Sequence, residues 1–291
     1  MRNPKSLMLL LLGVFFAVNL FAAETPEIKY DEARAIQLYD NGDCDNAFQL
    51  FSKAAAQGDA TAQYYIGRMY FNGEVAGEDV DYAKAFIWFQ KAAMQGNAKA
   101  QASFGRMYLL GQGVAQNFDK AMMWYQKAAD QGNAHGQYGL ACMYYRVKND
   151  YPKAMTWYKK AADQGNPYAQ YNLACMYYYG DVSDKDFQQA AKWFKAAADQ
   201  NIAPAQYDLG VMYLKGQSVQ QSDGIAKDWF RKAAGQNYKA AIAALQDMGV
   251  DYQSSVPAGN EASPNSSYQR PANDEYQPYN TGLWLTNSYY R

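Results

Sequence analysis

Histidine is almost missing from this sequence: His135 stands alone, and the three cysteines, Cys44, Cys142 and Cys175, lie far apart. A zinc centre gathers several His or Cys ligands at short spacings, so no metal site is expected. An enzyme built on a Ser–His or Cys–His pair would depend on His135, which sits at a variable position where an exposed side chain is expected. The Gly-x-x-x-x-Gly-Lys-Ser/Thr loop, the Gly-x-Ser-x-Gly elbow and the Ser-x-x-Lys motif are absent as well. With them go the phosphate cradle and the two commonest serine-nucleophile frameworks, and no cofactor is expected.

An excess of one charge is also lacking, with 27 basic and 28 acidic side chains. Without a positive field to gather a polyanion, nucleic acid and anionic lipid are excluded as partners. Long apolar runs are missing after the first residues. The run Leu7 to Leu20, broken by Gly13 and Asn19 and preceded by Arg2 and Lys5, is about 14 residues long, short of the ~20 that span a bilayer. Ala22, Ala23 and a polar stretch follow, so residues 1–22 are expected to be a cleavable signal peptide, with no membrane span after its removal. The cut itself is left open, because Leu20 or Phe21 at the −3 position is not small, and no Cys follows to carry a lipid. The expected destination is the periplasm or the exterior.

What the sequence has in quantity is a repeat. The block Ala-Ala-x-Gln-Gly ends at Gly58, Gly96, Gly132 and Gly165, and recurs with Asn in the last place at Asn201 and Asn237. Intervals of 33 to 38 residues mark a helical solenoid. Each unit divides into two helices. Helix A carries Ala-Gln-Tyr-x-Leu-Gly-x-Met-Tyr or a variant, as in Ala205 to Tyr213. Helix B carries Ala-x-x-Trp-aromatic-x-x-Ala, as in Ala121-Trp124-Tyr125-Ala128. Apolar residues at i, i+3, i+4 and i+7 share one helical face. Gly67, Gly105, Ala141, Ala174 and Gly210 are expected to let helices approach, with Trp and Tyr rings filling the space beside them.

The punctuation agrees. Asp43, Asp81, Asn117, Asp150, Asp186 and Ser222 each precede a helix-B Ala by four residues, where a side-chain oxygen can cap the first turn. Pro152 falls in a first turn, where its missing N–H is harmless. The terminal Gly or Asn of each block suits a left-handed position after a helix. Asp59, Asn97, Asn133 and Asn166 then cap the following helix A.

These elements resemble the Sel-one-like repeat (SLR) family, relatives of the tetratricopeptide repeat with a longer inter-helix turn. The resemblance rests on Leu209 to Tyr213, on the Gly-x-Gly-Val turn at Gly111 to Val114 and on Trp124 to Ala129. It implies an all-α fold, a right-handed α-solenoid superhelix of stacked antiparallel helix pairs. Five full repeats over residues 59–237 follow a degenerate helical unit at 23–58 in which Leu50 replaces the Trp, and a capping helix at 238–250 closes the array. The third copy loses three residues between Tyr144 and Ala154, which leaves the fold intact while changing the local pitch. Residues 251–291, with Pro257, Pro264, Pro271 and Pro278 amid Ser, Asn and Gln, read as a disordered tail. Its Leu283-Trp284-Leu285 is the apolar exception, able to dock elsewhere.

Cys142 and Cys175 hold equivalent helix-A positions one repeat apart. Helix stacking separates such positions by ~8–10 Å, beyond the ~7 Å a disulfide spans, so no disulfide is expected. Cys44 begins a helix B, where it fills an apolar gap or has its pKa lowered by the helix N-terminus.

The family resemblance implies a protein- or peptide-binding adaptor working as a monomer, and non-catalytic. The competing implication is a β-lactam-binding or β-lactam-hydrolysing protein, like cysteine-rich relatives that carry a Cys pair in every repeat, a pattern this chain lacks. In tetratricopeptide repeats helix A lines the binding groove. Carried onto this sequence, the groove row comprises Tyr64, Arg68, Phe71, Arg106, Tyr138, Tyr145, Tyr171, Tyr178 and Tyr207. Spacings of three and four keep these on one helical face. Arg68 and Arg106 would suit a carboxylate, and the tyrosines would either give flat apolar contact or pack between adjacent A helices.

Overall fold

The computed structural model describes residues 26–250, so the expected signal peptide at 1–22 and the tail at 251–291 lie outside the described residues. Thirteen helices and no strand occur among the described residues. Two compact units divide the described residues, the first running to residue 100 with 112–114 and the second taking 101–111 and continuing from 115. In the first, α1 (Pro26–Asp40), α2 (Cys44–Ala56), α3 (Ala60–Asn72) and α4 (Tyr82–Met94) each pack on the next. The second takes most of α5 (Ala98–Leu110), then α6 (Phe118–Asp130), α7 (Ala134–Arg146), α8 (Tyr151–Asp163) and α9 (Pro167–Tyr179). It continues with α10 (Phe187–Asp199), α11 (Ala203–Lys215), α12 (Asp223–Ala234) and α13 (Lys239–Asp247). From α6 to α13 each helix packs on its neighbour in sequence, the all-α helix-pair architecture the periodicity implies.

The caps explain why the helices start and stop where they do. Asp81, Asn117, Asp150, Asp186 and Ser222 each accept a hydrogen bond from the backbone N–H three residues on, at 2.8–3.3 Å. Asp59, Asn97, Asn133 and Asn166 do the same for the A helices at 2.6–2.9 Å. Each such cap contributes about 1 kcal/mol. At the opposite ends, Gly58, Gly96, Gly132 and Gly165 have φ of +79° to +93°, and Asn201 and Asn237 take +66° and +59°. The A-to-B turns differ in length, yet all close with one bond. The N-cap N–H of helix B donates to the carbonyl of the helix-A Tyr: Asp81 to Tyr70, Asn117 to Tyr108, Asp186 to Tyr177, and Asp150 to Tyr144 in the shortened third copy. That bond is why losing three residues leaves the helix pair intact.

The core corrects one detail of the sequence reading. The second aromatic of helix B, rather than the Trp, lies against the small residue of helix A. A methyl group added to Gly67, Gly105 or Gly210 would meet the ring of Phe89, Tyr125 or Phe230 at 2.6–3.1 Å. Tyr125 is also wedged against the next repeat, where a Cβ on Gly139 would lie 2.4 Å from its ring. Trp88, Trp157 and Trp229 instead sit half-buried, each beneath a lysine one turn on: Lys91, Lys160 and Lys232 stand 4.0–4.1 Å from the ring centroids.

Candidate partner-binding site

The helix-A row expected to line a groove is largely covered. Tyr64, Phe71, Arg106, Tyr138, Tyr145 and Tyr171 are all buried, none more than 9% exposed. The helix-B aromatic of the same repeat covers the tyrosines at 5.4–5.9 Å between centroids: Tyr64 meets Phe89, Tyr138 meets Tyr158, Tyr171 meets Phe194 and Tyr207 meets Phe230. Their hydroxyls reach forward into the next repeat. Tyr145 donates to Asp181 Oδ2 at 2.9 Å and Tyr171 to Asp208 Oδ2 at 3.1 Å, while Tyr138 accepts from Asn172 Nδ2 at 3.4 Å. Burial pushes the Tyr158 and Tyr171 hydroxyls well above the ordinary phenol range, with Cys142 and Cys175 adding to it respectively.

In the first unit, Arg68 is half-buried with its guanidinium 5.0 Å from the centroid of Tyr39. Tyr39 donates to Glu74 Oε2 at 2.6 Å, and Asn72 Nδ2 donates to the other oxygen of that carboxylate at 3.1 Å. Burial and then the Glu74 hydrogen bond raise the Tyr39 pKa. The cluster ties the degenerate first unit to the first full repeat.

Two residues of the row, Tyr178 and Tyr207, remain half-buried, and both line a cleft of about 250 Å³ in the second unit, with Val211, Leu214, Lys215 and Asp208. Helix length accounts for the opening. A full helix A has thirteen residues, as α11 does, whereas α13 has nine. Four missing residues shorten it by about 6 Å. The last turn of α11, holding Leu214 and Lys215, therefore loses the cover that a complete following helix would give. Ala244 of α13 forms one wall. Tyr178 donates to Gln217 at 3.1 Å and Lys215 is exposed, so the mouth is polar and the floor aromatic.

Sequence reasoning passed over the principal polar feature. The Gln that ends each helix B donates to the buried Gln of its own helix A: Gln95 to Gln63, Gln131 to Gln101, Gln164 to Gln137, Gln200 to Gln170 and Gln236 to Gln206, at 2.7–2.9 Å. In three repeats the helix-A Gln passes the bond on to a carbonyl of the preceding helix B, from Gln63 to Ala55, Gln170 to Ala162 and Gln206 to Ala198. The signal lay in two Gln residues recurring in step, one in each block. The chemistry-bearing residues contribute little else. Cys44, Cys142 and Cys175 are free thiols. Burial, then Glu74, Asp45 and Asp43, raises the Cys44 pKa, correcting the alternative that the helix N-terminus lowers it. His135 is half-buried rather than exposed, as Thr61 and Tyr168 are at the same second position of helix A, where Pro204 is buried and Lys99 exposed. Among the described residues no group of three or more His, Cys, Asp or Glu could hold a metal ion, and no helix is long and apolar enough to cross a membrane.

Comparison with known proteins matches this geometry to a family. The Sel1 repeat model matches residues 38–59, 60–97, 98–133, 134–166, 167–202 and 203–238, so the degenerate first unit counts as a sixth copy. No curated protein matches the chain. A protective antigen of uropathogenic Escherichia coli strains displaying an SLR fold is 33% identical over 73% of this chain, with a TM-score of 0.64. The match spans only 45% of that antigen's length. A Sel1 repeat protein from Oxalobacter formigenes is 28% identical over 74% of this chain and 89% of its own, with a TM-score of 0.67. An immunity protein from Pseudomonas aeruginosa, 18% identical over 73% of this chain and 83% of its own with a TM-score of 0.51, shares the fold alone. The six matched units, together covering residues 38–238, make this chain a member of the Sel1 repeat family.

Proposed function

We propose that this protein is an exported, non-catalytic scaffold that binds a peptide or protein segment on its helix-A row, at the open end formed by Tyr178, Tyr207, Val211 and Leu214. The observation that supports this is the cleft itself: an aromatic floor with Asp208 and Lys215 at its edges, opened by a helix that stops short. Within the row first read from the sequence, Tyr64, Phe71, Arg106, Tyr138, Tyr145 and Tyr171 serve to hold the repeats together. Arg68 stacks on Tyr39, and Tyr178 and Tyr207 face the partner. Aromatic residues at a partly desolvated cleft are the kind that dominate interface energies. Export rests on the sequence pattern of residues 1–22.

The test is selection of a random-peptide library on the immobilised full chain, followed by titration of the enriched peptides. Leu214→Arg and Lys215→Glu should each weaken those peptides at least tenfold with little change in the melting curve. Peptides that bind both variants as well as the parent would place recognition elsewhere and overturn the assignment. Lys215 is exposed, so its replacement separates loss of binding from loss of fold.

A further inference from the structure

The cleft has an occupant of matching chemistry within the same chain. We infer that Leu283-Trp284-Leu285 seats in the cleft bounded by α11 and α13, so that the protein covers its own binding site until a partner displaces the segment. This deepens the reading given above and rests on it.

Three observations lead to the segment. The cleft is open at the end of α13, where the chain leaves the last helix: Ala244 lines it, and the described residues end six positions later at Val250. Of the residues beyond, 251–291, the aliphatic side chains larger than alanine and the indole are Val256, Leu283, Trp284 and Leu285, and three of these are consecutive. The size also fits. A cleft of about 250 Å³ lies below the usual range of small-molecule pockets and accommodates one or two large side chains. Tyr178 and Tyr207, above the buried Phe194 and Phe230, offer ring surface to an indole, and Val211 and Leu214 offer aliphatic contact to the flanking leucines.

Chain length permits the contact. From Val250 to Leu283 is 33 residues, which at ~3.3 Å each can reach up to about 110 Å, far more than a return to Ala244 demands. Because the segment is tethered, its encounter with the cleft is intramolecular, so an affinity too weak to matter between separate molecules suffices. The segment 280–291 carries one charged side chain, Arg291, and the cleft holds both Asp208 and Lys215, so charge neither drives nor opposes the pairing, which rests on apolar contact.

The experiment uses the full chain and a labelled synthetic peptide of residues 280–291. The peptide should bind full-length Trp284→Ala and bind the parent chain at least fivefold more weakly, because the parent's own segment competes. Adding Leu214→Arg to Trp284→Ala should abolish the binding. A photo-crosslinking residue at position 284 should join the segment to tryptic fragments bearing residues 203–215 or 239–250 within one chain. Equal binding to parent and Trp284→Ala, binding to neither, or crosslinks between chains would each overturn the inference. Its failure is separable from that of the function proposed above. Library peptides lost on Lys215→Glu but bound equally by the parent and by Trp284→Ala would keep the cleft as a binding site and remove only the self-docking.

Discussion

Tyr125 and Gly139 allow the packing between two repeats to be tested by a number. The ring of Tyr125 lies between Gly105 of its own repeat and Gly139 of the next, and a Cβ at Gly139 would fall 2.4–2.6 Å from three ring atoms. No real Cβ contact is so short, and Tyr125 is only 5% exposed, so the ring has little room to retreat. Gly139→Ala should therefore cost about 1–3 kcal/mol through overpacking, even though alanine alone would favour the helix by about 1 kcal/mol. Tyr125→Ala should cost about 3–5 kcal/mol by cavity formation. In the double variant the clash is gone, so Gly139→Ala should become neutral or stabilising, giving a coupling of at least about 1 kcal/mol. Urea unfolding followed by circular dichroism measures all four members of the cycle, with the slope checked for loss of cooperativity between repeats. Gly58→Ala is the control: its added Cβ meets nothing within 4 Å, so it carries only the left-handed backbone cost of about 1–2 kcal/mol. Additive effects at Tyr125 and Gly139, or a Gly139→Ala that stabilises on its own, would refute the wedge.

Other expectations follow from the same geometry. Asp186→Ala should lower stability by about 1 kcal/mol with Asp186→Asn nearly silent, since the cap accepts only one N–H. The Tyr158 hydroxyl is held protonated by burial, so its contribution is complete below the unfolded tyrosine pKa of about 10 and is lost as pH rises above it. Tyr158→Phe should therefore make alkaline unfolding shallower, as followed by tyrosinate absorbance. The Cys142 thiol is buried, its pKa raised, and accepts from Tyr158 at 3.3 Å, so aromatic disulfide reagents should label Cys44 in the native chain and Cys142 only on unfolding. Purified protein should hydrolyse a chromogenic β-lactam no faster than buffer, and turnover abolished by one serine substitution would reinstate the enzymatic alternative.

Fold and boundaries were legible because they are local. A capping Asp, Asn or Ser and a terminal Gly or Asn act within one turn, and a single sequence displays them six times over. The interior was less legible, for a geometric reason. Periodicity places a residue on a face without saying which neighbour covers that face. Read from sequence, Tyr138 and Tyr171 line a groove on helix A, and the structure instead lays Tyr158 and Phe194 over them. The Trp–aromatic pair shows the same ambiguity, since adjacent residues differ by about 100° around the helix and composition cannot tell which faces inward. The cleft depends on α13 ending one turn early, an end effect that no repeat motif encodes.

The glutamine relay also bears on how such an array changes length. Three units offer a glutamine amide to the carbonyl of the one before, and in five the same glutamine accepts from the end of its own helix B, so the units behave as tiles with matching edges. Inserting or deleting a whole tile restores every donor to an acceptor, whereas a cut inside a tile strands a buried amide. Gln206, 2% exposed, would keep its bonds to Ala198 and Asn201 but lose the donor to its Oε1 if Gln236 were removed, at a cost of about 1–3 kcal/mol. Lengthening and shortening of this protein should therefore be tolerated in steps of one repeat and resisted at every size between.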